Sequence, residues 1–224
     1  WSVIFGVQTA FLHLISERTQ QIPAAFLSIS YSKKVLLNAL LTGSLAEIIQ
    51  DAKMLKQEGY RAFKLKVGGR TLKEDVQRVQ AVRDVIGDSL LRLDANRAWS
   101  LKEAVEFSSD IENCQIEYIE EPVFENIASF YSETGIAVAL DESLTENPDL
   151  DSIPGLAALV IKPSLWGGFT KIKEMISYSV PLVISSAFET GIGIAALVFL
   201  AAALNTPQRP MGLDTYRWLK EDVL

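Results

Sequence analysis

At 224 residues the chain is long for one ordinary domain and short for a complete eight-stranded α/β barrel, and its 49% apolar residues can build a sizeable core. A formal charge of −7 with no lysine/arginine run argues against a nucleic-acid partner, and a single cysteine, Cys114, excludes an internal disulfide framework and reads as a small buried residue. The longest apolar run, Gly191 to Leu204, falls short of the roughly 20 residues of a membrane span, so no membrane insertion is expected.

The chain opens on an apolar segment with Ile4, Val7, Phe11, Leu14 and Ile15 at helical spacing. It has no basic leader and no small-residue cleavage site, so the cytoplasm is the expected location. A strand follows near Val35–Leu41, then a helix from Ser44 to about Glu58, opened by a Ser44–Glu47 capping box and closed at Gly59. Strand two is expected at 62–67, with a helix after Thr71 (Thr71–Glu74 box) ending at Gly87. Strand three at 90–94 precedes a helix opened by Ser100 and Glu103. Further strands are expected at 116–120, 136–141, 157–162, 182–186 and 211–214, with helices over about 169–178 and 192–204. Strands that alternate with helices at this spacing predict an α/β parallel barrel, a (β/α)8 or TIM-type fold; a doubly wound open sheet is the alternative.

Charge collects at the ends of these strands. Lys66, Asp94, Glu120, Asp141 and Lys162 follow one another at intervals of 28, 26, 21 and 21 residues, about one βα unit each. A parallel barrel brings such groups to one mouth. Three carboxylates make a hard oxygen site suited to Mg²⁺, with Mn²⁺ as a substitute, and two lysines facing each other across it make an acid–base pair. Single acids at strand ends are more often helix caps or loop ion pairs; three in consecutive units favour a site. Glu121 competes with Glu120 as a ligand, but neighbours on a strand face opposite sides, and the register with Tyr118 favours Glu120. Lys64 shares a strand face with Lys66, and burying both ammoniums together is expected to lower both pKa values. An edge strand with a solvated basic face is the bland alternative. Arg92, two residues before Asp94 on the same face, is expected to add charge near the site.

The segment Gly191-Ile-Gly193-Ile-Ala-Ala196 loosely fits a dinucleotide fingerprint, which would make the chain a nicotinamide oxidoreductase. Its place late in the chain fits better an anion site built by a helix N-terminus together with Ser185 and Ser186. His13 is the only histidine and lies in a helical pattern, which speaks against a histidine base.

With Lys64-x-Lys66, LRLDANRAW (91–99), IEEP (119–122), ETGIAVALDESL (133–144), VIKPSL (160–165), ISS (184–186) and GLDT (212–215), the chain resembles the enolase superfamily, in its muconate-lactonizing-enzyme-like subgroup. Within it, the chain is similar to the o-succinylbenzoate synthase family. That resemblance implies a lyase using Mg²⁺ for syn dehydration of 2-succinyl-6-hydroxy-2,4-cyclohexadiene-1-carboxylate to o-succinylbenzoate, in menaquinone or phylloquinone synthesis. It implies metal ligands Asp94, Glu120 and Asp141. Lys66 is implied as base and then acid, Lys162 as electrostatic partner, and Lys64 as the group that tunes Lys66. Ser185, Ser186 and the Gly212 backbone would hold the succinyl carboxylate of a small-molecule substrate. It further implies that residues 1–22 are the last helix of a capping domain and its linker, the rest of that domain being absent, and that 23–224 are the barrel. N-acylamino acid racemases and dipeptide epimerases share the same lysines and metal, and a non-catalytic barrel fragment is a third reading.

Overall fold

A computed structural model describes residues 1–28, 30–204 and 209–223. In chain order the elements are α1 (Ser2–Thr19), α2 (Ala24–Leu27), β1 (Ala39–Leu41), α3 (Leu45–Gln57), β2 (Ala62–Lys66), α4 (Leu72–Ile86), β3 (Leu90–Asp94) and α5 (Leu101–Asp110). They continue with β4 (Ile116–Glu120), α6 (Ile127–Thr134), β5 (Val138–Leu140), β6 (Leu156–Ile161), α7 (Pro163–Trp166), α8 (Phe169–Met175), β7 (Leu182–Ile184) and α9 (Gly191–Ala203). The strands lie in the order β1 to β7, and each neighbouring pair from β1 to β6 is parallel. A doubly wound sheet reverses its order at a switch point; this order never reverses, so that alternative falls.

Two compact units divide the chain, Ala39–Leu159 and Trp1–Asn38 with Val160 onward. In the first, three helices begin as the sequence dictates. Ser44, Thr71 and Ser100 each form a complete capping box with Glu47, Glu74 and Glu103, satisfying two orphan N–H groups per helix. The helices bury one face each: Ile48, Ala52 and Leu55 on α3; Val79, Val82 and Ile86 on α4; Ala104 and Phe107 on α5. Burying an aliphatic or aromatic side chain of this size contributes about 1.5–3 kcal/mol. The strands beneath are buried on both faces, so β2 hides Phe63 and Leu65 and also Lys64.

In the second unit α1 buries Phe5, Thr9 and Leu12. Phe5 meets Phe169 edge-on at 5.8 Å, and Gln8 Oε1 accepts from Phe169 N at 2.8 Å, capping α8. Here the strands are shorter than expected. The first expected strand keeps only Ala39–Leu41, with Leu37 in an isolated bridge to Met211. The strand expected at 211–214 reduces to that bridge and one between Gly212 and Ser185, after which Asp214–Trp218 turns into a 3-10 helix. Helix α6 was not expected; it is only eight residues long and buries one large side chain, Phe130, too little periodicity to register.

Candidate active site

Parallel register aligns Lys66 with Asp94, and Asp94 with Glu120, in one row at the C-terminal ends of β2, β3 and β4. Side chains alternate along a strand, so Lys64 shares the face of Lys66, in a row with Arg92 and Tyr118. Its ammonium nevertheless reaches the next row, donating to both Glu120 oxygens at 2.6 and 2.7 Å and lying 2.8 Å from Asp94 Oδ2. Lys66 Nζ donates to Asp94 Oδ2 at 2.6 Å and to Asn96 Oδ1 at 2.7 Å. The Lys66 side chain keeps 38% of its exposure, whereas Asp94 and Glu120 keep 1%. Within this group Lys66 is the member that a reactant can reach.

The electrostatics correct one expectation. Burial opposes charge on Lys64, but Glu120 and Asp94 outweigh burial and hold the ammonium above the usual lysine range rather than below it. Burial likewise opposes charge on Asp94, yet Lys64 and Lys66 hold its carboxyl well below the usual range. Glu120 goes the other way: burial, then the charges of Asp94 and Asp141, push it up to about 8 against the pull of Lys64. Two ammoniums thus face three buried carboxylates, and negative charge is in excess. Among the described residues, no three His, Cys, Asp or Glu side chains close around a metal-sized site. The Lys64 ammonium stands between Asp94 and Glu120, where a shared cation would bind.

Glu121 takes the opposite face from Glu120 and is fully buried. Its Oε1 accepts from the backbone N–H of Asp141 and of Ser143, both at 2.8 Å; its Oε2 accepts from Ser143 Oγ at 2.7 Å and Arg97 Nε at 2.9 Å. It is therefore no rival ligand but the anchor of the loop that carries Asp141. Arg97 spans that loop, with Nη1 2.8 Å from Glu146 Oε1 and Nη2 2.8 Å from Ser143 Oγ. Asn96 and Arg97, which the spacing argument passed over, both have positive φ, 45° and 61°. That sharp turn brings the Asn96 amide back onto Lys66, and its Nδ2 donates to Glu142 Oε1 at 3.1 Å. Asn at the end of a strand, where αL backbone is tolerated, was the available signal.

Other expected residues are placed differently. Arg92 is fully buried one row below, its Nε 2.6 Å from Glu117 Oε2 and its guanidinium 5.1 Å from the Tyr118 ring centroid. It packs the layer under the row and is closed to a substrate. In the second unit Lys162 follows β6 and is the residue before Pro163 of α7, with its carbonyl accepting from Leu165 N at 2.9 Å. Gly212 N–H is spent on Ile184 O at 2.8 Å, and its carbonyl accepts from Ser186 N at 2.9 Å, so its backbone cannot hold a carboxylate. Ser186 Oγ lies 3.0 Å from Gly212 O and 2.6 Å from Thr215 Oγ1; Ser185 Oγ lies 3.4 Å from Gly212 O. The N-terminus of α9 already holds an internal carboxylate, Gly191 N–H donating to Asp222 at 3.0 and 3.2 Å.

Three comparisons bear on this geometry. The family model described as enolase C-terminal domain-like matches residues 47–224. The chloroplastic protein PHYLLO of Arabidopsis thaliana is 37% identical over 211 residues, 81% of this chain and 12% of that protein. An o-succinylbenzoate synthase of Enterobacter sp. is 38% identical over 176 residues, 74% of this chain and 54% of that protein. The chain thus spans about half the length of the bacterial relative and a small part of the plant one. A solved dipeptide epimerase of Enterococcus faecalis, in complex with Mg and the dipeptide L-Leu-L-Tyr, is similar at a TM-score of 0.84 and 28% identity, covering 95% of this chain and 63% of that one.

Proposed function

The chain belongs to the enolase C-terminal domain-like family, and from that membership we propose that it carries the chemistry of an o-succinylbenzoate synthase. The proposed reaction is loss of water from 2-succinyl-6-hydroxy-2,4-cyclohexadiene-1-carboxylate, in menaquinone or phylloquinone synthesis. The observation that carries this reading is the row Lys66–Asp94–Glu120: a half-exposed lysine held at 2.6 Å by a carboxylate whose neighbours are buried acids. The relatives named o-succinylbenzoate synthase support the choice of reaction. The architecture proposed with it is the (β/α)8 barrel over 23–224, with 1–22 as a capping-domain helix and linker.

The donor set fits a divalent cation. Asp94, Glu120 and Asp141 are hard oxygen donors, each no more than 2% exposed, and Glu120 is pushed up to about 8 by the other two for want of positive charge. Mg²⁺, or Mn²⁺ in its place, would be held by these three and would supply positive charge beside the reacting carboxylate. Lys66, as the free amine, takes the proton from the carbon next to that carboxylate. The C–H electrons pass into the ring system, the ring C–O bond breaks, and the departing hydroxyl takes the same proton from Lys66 and leaves as water. Lys162 adds fixed positive charge for the anion that develops, and Lys64 keeps Asp94 and Glu120 in place. Turnover of the cyclohexadiene substrate, with and without Mg²⁺, tests the reading; a protein that binds it and releases no o-succinylbenzoate refutes it.

The similarity to a dipeptide epimerase favours a second reading, in which the same lysines remove and return a proton α to a carboxylate without loss of water.

A further inference from the structure

We propose that Asp75 and Arg78, a buried ion pair on α4, position the reactive end of β2 and through it the Lys66 ammonium. The inference rests on the reading of Lys66 as the base. Asp75 is fully buried and Arg78 is 6% exposed, on a helix face otherwise made of Val79, Val82 and Ile86. Arg78 Nη1 donates to Asp75 Oδ1 and to the Lys66 carbonyl, both at 2.9 Å. Asp75 Oδ2 accepts from Gly68 N at 2.7 Å. Between these two grips Val67 N donates to Asp94 O at 2.9 Å. Three consecutive residues, Lys66 to Gly68, are thus each tied through their backbone.

Stability does not account for the pair. Apolar residues of similar volume often serve as well as a buried ion pair. The pair also leaves Arg78 Nε without a partner among the described residues. Nor is Asp75 needed to cap α4, since Glu74 and Thr71 already form the capping box. What the pair does beyond neutralising itself is hold the main chain under Lys66. That chain has no slack on its other side: Gly68 sits at φ +81°, and a Cβ there would come within 2.5 Å of Ala98 Cβ and 3.0 Å of Ala95 O. A lysine side chain is a long lever, so a tilt of about 10° at its Cα moves Nζ by about 1 Å. A misplacement of about 1 Å costs about 100-fold in rate.

The test uses the full protein and four substitutions: Arg78→Met, which removes the donors; Arg78→Lys, which keeps the charge but not the fork; Val79→Ala, a packing change one residue away; and Lys66→Ala. Dehydration of the cyclohexadiene substrate and α-proton exchange on an N-succinylamino acid are both followed, because Lys66 serves either reaction. Expected are a kcat lower by about 100-fold per folded molecule in both Arg78 variants, KM within about two-fold, and unchanged kcat in Val79→Ala. Should Arg78→Met fail to fold, Arg78→Lys carries the test alone. The proposal is overturned if the folded Arg78 variants keep their kcat, or lose it only as Val79→Ala does. It also falls if Lys66→Ala still turns over either substrate, and in that case the base assignment falls with it. Inactive Lys66→Ala beside fully active Arg78 variants sinks the positioning role alone.

Discussion

Adjacent glutamates at the end of β4 divide two tasks. Glu120 lies in the charged row, while Glu121, on the other face, is surrounded only by donors: two backbone N–H groups, a hydroxyl and the Arg97 guanidinium. Glu121→Gln keeps the shape but turns an N–H toward one of those donors, leaving buried groups unpaired at a cost of about 1–3 kcal/mol. Urea unfolding is expected to show that loss, and cation binding to weaken because Asp141 is no longer anchored. A variant as stable as the parent refutes the anchoring role. Lys64 makes a complementary case. Breaking a buried ion pair by removing one partner costs about 3–5 kcal/mol, so Lys64→Met is expected to be strongly destabilised in EDTA. A saturating divalent cation, at about 100 times its Kd, is expected to return about 2.7 kcal/mol. Equal stability of Lys64→Met with and without the cation would remove the three carboxylates as its ligands.

Glu120 also sets a pH dependence. Its folded pKa, about 8, lies above the ordinary 4.5, so the folded state binds a proton more readily than the unfolded one. The stability this contributes is fully present below about pH 4.5 and is lost as pH rises through about 8. Unfolding free energy in EDTA is therefore expected to fall between about pH 5 and about pH 8, and a bound divalent cation to flatten that slope. A flat profile in EDTA would show that Lys64 alone already compensates Glu120.

At the scale of elements, the sequence was legible where one residue type has one local job. Ser44, Thr71 and Ser100 each announce a helix start because a side-chain oxygen must satisfy the N3 N–H, and the glutamate three residues on completes the exchange. Thr71→Ala is expected to cost about 1 kcal/mol of stability, measured by urea unfolding, because only the cap is lost. A loss below a few tenths would show that the Asp75–Arg78 pair fixes the start of α4 without it. Strand ends were legible for the same kind of reason: an apolar run closed by Asp94 or Glu120 must emerge from a core. Lengths were not legible where tertiary pairing decides them. Leu37, Met211 and Gly212 read as strand but find only single bridges. The role of Arg92 could not be read either: alternation gave it the right face, and only the rows show that it sits one layer down, against Glu117 and Tyr118.

For the whole molecule, the open question is whether the strand-end lysines work as one base or two. The spacing of charged strand ends named Lys66 and Lys162 together, and family membership is compatible with either dehydration or epimerisation. The two reactions ask different things of the lysines. A syn elimination needs a single group that takes the α-proton and gives it to the departing hydroxyl on the same face, and Lys66, held by Asp94 and Asn96, is built as such a group. An epimerase needs a proton donor on each face, so both lysines must exchange protons with the substrate. Incubation in D₂O with an N-succinylamino acid, read by mass spectrometry on each enantiomer, separates them. Fast dehydration of the cyclohexadiene with slow or absent α-deuterium incorporation is expected. Rapid deuterium uptake into both enantiomers beside weak dehydration would make the epimerase the better description. Lys162→Ala then adds the decisive comparison: in a one-base elimination it loses the transition-state stabilisation of one charged donor, about 3–4 kcal/mol, for the single reaction. In a two-base enzyme it abolishes exchange from one enantiomer and spares exchange from the other, because Lys66 can still remove the proton that faces it.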